Sequence, residues 1–191
     1  GVAFANAEMA MSGGKLDSFR MLTHPGTSIL PGAFVGAEAA GVSRKEFLTG
    51  VAVCYEVVER LASDFIPTVM SRGFHAGPVF GIFGPAMAAA KILNLTEEEV
   101  NNTIALCVHL AAGNLEGPRG GGRALREGAA VRNAMLAVAL AQMGQVGGET
   151  TLEGEAGFYH AYTGNNQGKL TYSLSLIHFV FFFSFFFSFS P

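Results

Sequence analysis

Histidine is scarce in this chain, five in 191 residues, and two of the five stand in segments suited to chemistry. His24 lies in LTHPGTSILPG, just before an apolar run that reads as a helix. Pro25 and Gly26 hold a turn there. The hydroxyls of Thr27 and Ser28 are suited to cap that helix, whose N-terminus is a natural anion site. An imidazole beside an anion site suits a carboxylated substrate; the alternative is a surface histidine in a loop. Asp17 precedes His24 by seven positions. Its carboxylate could orient His24, act as an acid or base itself, or simply form a turn. His75 lies in SRGFHAGPVFGIFG, between Gly73 and Gly77 and at the mouth of a very apolar helix. Loss of solvent favours the neutral imidazole, which suits it to act as a base near neutral pH. The alternative is a core histidine with its hydrogen bonds satisfied. His109, inside CVHLAAG, reads as structural.

Carboxylate binding has its own candidates. The segment EGPRGGGRALREGAA places Arg119, Arg123 and Arg126 around a glycine loop. Glycines let a ligand approach the backbone, and guanidinium groups grip carboxylates with two parallel hydrogen bonds. The same segment also fits a connector with solvated arginines. It lacks the spacing and the Lys-Ser/Thr of a phosphate-binding P-loop. The histidines are far apart and neither H-x-x-x-H nor C-x-x-C occurs, so the sequence proposes no metal site. No G-x-S-x-G nucleophile elbow is present either. If the chain does chemistry, these absences point to acid/base chemistry without a metal.

Helices must position these groups. ILPGAFVGAEAAG reads as a helix stopped at Gly41. SRKE from Ser43 to Glu46 is a capping box that opens the helix EFLTGVAVCYEVVERLA. GPVFGIFGPAMAAAKILN reads as one helix from about Pro78 to Leu93. TEEE from Thr96 to Glu99 is a second capping box, and REGAAVRNAMLAVALAQMG a further helix ending at Gly144. No alternating strand pattern is convincing, so the fold class expected is all-α, a bundle with small residues at tight contacts. Half the residues are hydrophobic, 14% are charged and the net charge is -3, with no basic block, which argues against nucleic acid as a partner. Cys54 and Cys107 sit in apolar helical patterns, which fits a reducing compartment. No signal peptide is visible at the start.

Several of these stretches together resemble the MmgE/PrpD family, which includes 2-methylcitrate dehydratase and cis-aconitate decarboxylase. They are LDSFRMLTHPGTSILPGAFVGAEAAG, GVAVCYEVVERL, RGFHAGPVFGIFGPAMAAAKILNL, GGGRALREGAAVRNAMLAVALAQMG and LEGEAGFYHAYTG, in family order. The resemblance implies an all-helical first domain joined to a smaller α/β lid, pairing as a homodimer, and catalysis without metal or organic cofactor. It implies a lyase acting on small di- or tricarboxylates, with related isomerases as an alternative; a non-catalytic helical module is the reading from another class. His24 matches the family's T-H-P histidine and His75 its G-F-H histidine, as base or acid. Asp17 matches part of an acidic segment, with Gly14 where a further acid is expected. Arg123 stands where lysine is usual and Arg126 where histidine is common. Arg123, with Thr27 and Ser28, would bind substrate carboxylates. The compartment expected is the cytoplasm, with the mitochondrion as an alternative.

The resemblance covers about residues 1–172 as a partial helical domain and leaves residues 173–191, ending HFVFFFSFFFSFSP, as a low-complexity tail. This tail is short and serine-interrupted for a membrane anchor, which needs roughly 20 apolar residues, and it has no helical or strand period. Phe, Ser, Leu and Pro can all be written in pyrimidine codons, so the run is expected to be translated intron. The lid domain would then be missing and the chain by itself inactive. The spliced transcript is predicted to lack the Phe/Ser run; a transcript that retains it, with a stop after Pro191, overturns this expectation.

Overall fold

The structure is a computed structural model that describes residues 1–13, 17–19, 23–116 and 125–164. The described residues form nine helices and no strands: α1 Val2–Gly13, α2 Gly26–Ala40, α3 Arg44–Ala62, α4 Ile66–Ser71, α5 Ala76–Gly81, α6 Phe83–Ile92, α7 Glu97–Leu110, α8 Leu125–Gln142 and α9 Phe158–Thr163. The all-α expectation is met. Arg119, Arg123 and the Phe/Ser tail lie outside the described residues.

Local chemistry sets most of the boundaries. Ser43 and Glu46 form the expected reciprocal cap of α3: the Ser43 N–H donates to Glu46 Oε2 at 2.8 Å and the Glu46 N–H to Ser43 Oγ at 3.3 Å. The Ser43 hydroxyl, which donates to Glu46 Oε2 at 2.6 Å, and then the Ser43 N–H hold the exposed Glu46 carboxyl below its usual range. Thr96 and Glu99 repeat the arrangement at α7. Gly41, at φ 61°, ends α2 in the left-handed conformation that glycine adopts without strain. The segment expected as one helix from Pro78 is two. Pro85 has no N–H for the Gly81 carbonyl and its ring crowds that carbonyl, so the chain breaks at Ile82 into α5 and α6. The helix α1 was not anticipated, because an Ala-rich segment without a cap or a clear apolar stripe gives no local signal.

Helix α6 is the axis of the bundle, with nine of its residues buried. It packs against α2, α3, α7 and α8. Glycines set the closest of these approaches. A Cβ on Gly32 of α2 would stand 2.1 Å from Pro85 Cβ and 2.8 Å from Pro85 Cα. A Cβ on Gly50 of α3 would stand 2.8 Å from Ile92, and one on Gly84 of α6 2.8 Å from both Ile29 and Val58. The expectation of close backbone contact through small residues therefore holds. Gly32→Ala is predicted to cost about 1–3 kcal/mol, because the methyl meets the Pro85 ring and backbone and can only push α2 away. Urea denaturation measures it, and an unchanged midpoint would show that the helices move apart freely.

At the far end, α9 closes the bundle with aromatic rings. Phe158, 1% exposed, meets Phe80 and Phe83 edge-on at centroid distances of 5.5 and 5.2 Å. The Tyr162 hydroxyl donates to the Ala111 carbonyl at 2.7 Å, tying α9 to the segment that follows α7.

Candidate active site

His24 sits at the entrance to α2 and is held from behind. Its Nδ1 lies 2.6 Å from the main-chain carbonyl of Asp17. A carbonyl can only accept, so Nδ1 carries the hydrogen and, in the neutral ring, Nε2 carries the lone pair. The sequence suggests that the Asp17 carboxylate orients His24; the group that meets the ring is the Asp17 backbone carbonyl. Its carboxylate works elsewhere: Oδ2 accepts from the Gly26 N–H at 2.6 Å and from the Tyr55 hydroxyl at 2.8 Å.

This changes the expected role of Thr27 and Ser28 at the helix start. Neither hydroxyl caps α2. Both residues lie inside its first turn and are buried, and each donates backward, Thr27 to the His24 carbonyl at 2.7 Å and Ser28 to the Pro25 carbonyl at 3.1 Å. The reason is register: α2 begins at Gly26, three residues before the apolar run, so the two side chains face carbonyls one turn back. The first N–H of the helix is occupied by the Asp17 carboxylate, an anion already built into the chain.

His75 is the N-cap of α5 and is 8% exposed. Its Nδ1 accepts from the Gly77 N–H at 3.1 Å. An N–H can only donate, so in the neutral ring the hydrogen is on Nε2, the reverse of His24. Backbone bonds fix the residue on both sides: the His75 N–H donates to the Gly113 carbonyl at 3.1 Å and the Leu115 N–H to the Gly73 carbonyl at 2.7 Å. Gly113, at φ 143°, can only be glycine without strain, and a Cβ there would also strike Pro78 at 2.6 Å. Glu127, on the first turn of α8 and 3% exposed, places Oε1 3.9 Å from His75 Nδ1. Arg126 beside it donates to the Asn114 carbonyl at 2.5 Å, so this guanidinium braces the segment that holds His75.

The two clusters are neighbours. Ser28 Oγ lies 3.1 Å from where a Cβ on Gly81 would be, so the first turn of α2 meets the last residue of α5. His75 is at the other end of that six-residue helix, about 9 Å away along its axis at 1.5 Å per residue. The structure thus brings Asp17, His24, Thr27 and Ser28 into one cluster, with His75 one short helix away. Tyr55 and Glu127 were not anticipated. Tyr55 reads as part of the apolar stripe of α3, and Glu127 as an ordinary acid in a first helical turn. His109, expected to be structural, is exposed on α7 at the edge of an open cleft of 610 Å³ also lined by Phe74, Glu155 and Tyr162. That cleft includes none of Asp17, His24 or His75.

Acidic groups also crowd behind Tyr55. Glu59, one turn further along α3, has its pKa raised by burial first and then by the charges of Glu56 and Asp17. The folded chain therefore holds this proton more tightly than the unfolded one. Its contribution favours the fold below the ordinary carboxylate range and is lost as the pH rises through the raised value. Glu59→Gln is predicted to raise Tm at pH 7, with a gain that shrinks toward pH 4. Melting curves across that range check it; an equal shift at both ends would assign the effect to something other than titration.

Among the described residues, no group of three or more His, Cys, Asp or Glu could hold a metal ion, and no helix is long and apolar enough to cross a membrane. Comparison with known proteins extends the picture. A human cis-aconitate decarboxylase is 30% identical over 183 residues, covering 91% of this chain and 37% of its own length. A cis-aconitate decarboxylase-like protein of Aspergillus oryzae is 29% identical over 133 residues, 65% of this chain and 28% of its own. A cis-aconitate decarboxylase of Aspergillus terreus is 25% identical over 157 residues, 78% of this chain and 32% of its own. The chain spans about a third of the length of these curated relatives. The family model described as the MmgE/PrpD N-terminal domain matches residues 2–171, and with that match across an all-helical architecture the chain belongs to the MmgE/PrpD family.

Proposed function

We propose that this domain supplies the acid/base wall of a cofactor-independent lyase acting on a small di- or tricarboxylate, with cis-aconitate the first substrate to test. The observation that carries the reading is the pair of complementary imidazoles. His24 is fixed with Nε2 as the proton-accepting nitrogen, and His75 is fixed with its hydrogen on Nε2. A site of this kind can take a proton at His24 Nε2 from a carbon next to a substrate carboxylate; His75 would give its Nε2 proton only as the imidazolium, with its second proton on Nδ1, the nitrogen 3.9 Å from Glu127 Oε1. Arg123 would hold a substrate carboxylate and stabilise negative charge as it develops. Thr27 and Ser28 would form the wall beside His24. The Glu127 carboxylate stabilises His75 whenever it holds an extra proton. The activity belongs to the complete protein, which we propose pairs as a homodimer.

The test is direct. The complete gene product, incubated with cis-aconitate, is expected to release carbon dioxide. Turnover of neither cis-aconitate, 2-methylcitrate nor any other small polycarboxylate would overturn the reading. A related isomerase is the second reading, favoured by Arg126, whose guanidinium is engaged with the Asn114 carbonyl and cannot relay a proton. It would exchange substrate hydrogen for deuterium without releasing carbon dioxide.

A further inference from the structure

We infer that Tyr55 is a positioning residue for His24, acting through the carboxylate of Asp17. This rests on the reading of His24 as a proton acceptor. The connection is a chain of three hydrogen bonds. The His24 ring donates to the Asp17 carbonyl, and the Asp17 carboxylate accepts from Gly26 and from Tyr55. Gly26 opens α2, so its N–H fixes Asp17 relative to the helix that follows His24 directly. Tyr55 is on α3, a helix that packs on α6, and it is separated from Asp17 by 38 positions. Its hydroxyl is the bond in this chain that reaches a second helix, so it holds Asp17, and through it His24, against α3 as well as α2.

The packing leaves this cluster little freedom. A Cβ on Gly26 would stand 2.6 Å from the Tyr55 hydroxyl oxygen and 2.7 Å from Asp17 Oδ2, so the phenol and the carboxylate both press on bare backbone. Tyr55 remains a donor throughout the working range, because burial first, and then Asp17 and Glu59, push its phenol up. When Asp17 is held, its carbonyl stays aimed at Nδ1 and His24 stays a single tautomer. When Asp17 is loose, the ring can exchange its hydrogen between the two nitrogens, and only part of the population offers Nε2 as a base.

Tyr55→Phe removes one oxygen and keeps the ring. The full chain, labelled with 15N on histidine, gives the primary readout, with the His24 signals assigned by their loss in His24→Gln. Wild type is expected to show one protonated and one unprotonated nitrogen. Tyr55→Phe is expected to move both signals toward each other while the other histidine signals stay in place. Asp17→Asn, which keeps the shape and the main-chain carbonyl, is expected to move them the same way. Unchanged His24 signals in both variants overturn the inference. In the complete protein, Tyr55→Phe is expected to lower kcat roughly tenfold to a hundredfold with KM little changed, the range of one hydrogen bond to a charged group. An unchanged kcat overturns the catalytic consequence. If the unaltered complete protein turns over no polycarboxylate, the proposed function fails instead, and the nitrogen signals still decide whether Tyr55 positions His24.

Discussion

His75→Asn in the complete protein is expected to lower kcat by roughly 10²–10⁴, the usual share of a positioned proton donor or acceptor. Asparagine is the informative replacement because His75 has two jobs. Its Nδ1 accepts the Gly77 N–H and so caps α5. Asparagine can accept the same bond but cannot pass a proton at neutral pH. His75→Ala loses both functions, and should add a stability cost of about 1 kcal/mol for the missing cap. The two variants together separate chemistry from folding. Equal melting temperatures for wild type and His75→Asn, with turnover lost, assign the loss to proton transfer. Turnover retained in His75→Asn would remove His75 from the mechanism and leave it a capping residue. KM should change less than kcat, since Arg123, proposed to bind substrate, is on a different segment.

Phe158→Ala is expected to destabilise the domain by about 3–5 kcal/mol, the cost of removing a fully buried aromatic side chain. The ring touches four others: Phe80, Phe83, Tyr159 and Tyr162. Helix α9 is six residues long, too short to hold its shape without docking. Loss of this ring therefore frees more than its own contacts. Tyr162 stacks edge-on against Phe74 at 4.9 Å and bonds the Ala111 carbonyl, next to the segment that pairs with His75. Urea denaturation followed by circular dichroism measures the change. A loss below about 0.5 kcal/mol, within the range of ordinary surface substitutions, would mean that α9 contributes little to holding the bundle closed.

What could be read from the sequence follows the range of the forces involved. The caps at Ser43 and Thr96 act over three residues, so their spelling was sufficient. Gly41 and Gly144 mark helix ends for the same local reason, both at positive φ. The break at Ile82 was also written locally, in Pro85, but the continuous apolar pattern on either side concealed it. The histidines stood out because titratable groups are rare. Their tautomers could not be read, since each depends on a partner's backbone geometry. Tyr55 reaches Asp17 across 38 positions, and Glu127 reaches His75 from another helix. No periodicity reports such meetings. The misplaced role of Thr27 and Ser28 came from a helix start set three residues late, enough to turn both hydroxyls from caps into backward donors.

The glycine contacts between α2, α3 and α6 bear on how this protein can change over generations. A contact between large side chains drifts easily, one residue shrinking while its neighbour grows. A contact in which Gly32 meets the Pro85 ring has nothing left to trim on the glycine side and no space for an addition. Substitution there is blocked in the enlarging direction, and a compensating change cannot come from the same position. The spacing of α2 from α6 is thereby insulated from wear in the surrounding core. His24 is carried at the head of α2, and His75 is carried on α5 just ahead of α6. The contact of backbone against ring therefore holds the helix that follows His24 against the helix that follows the segment capped by His75.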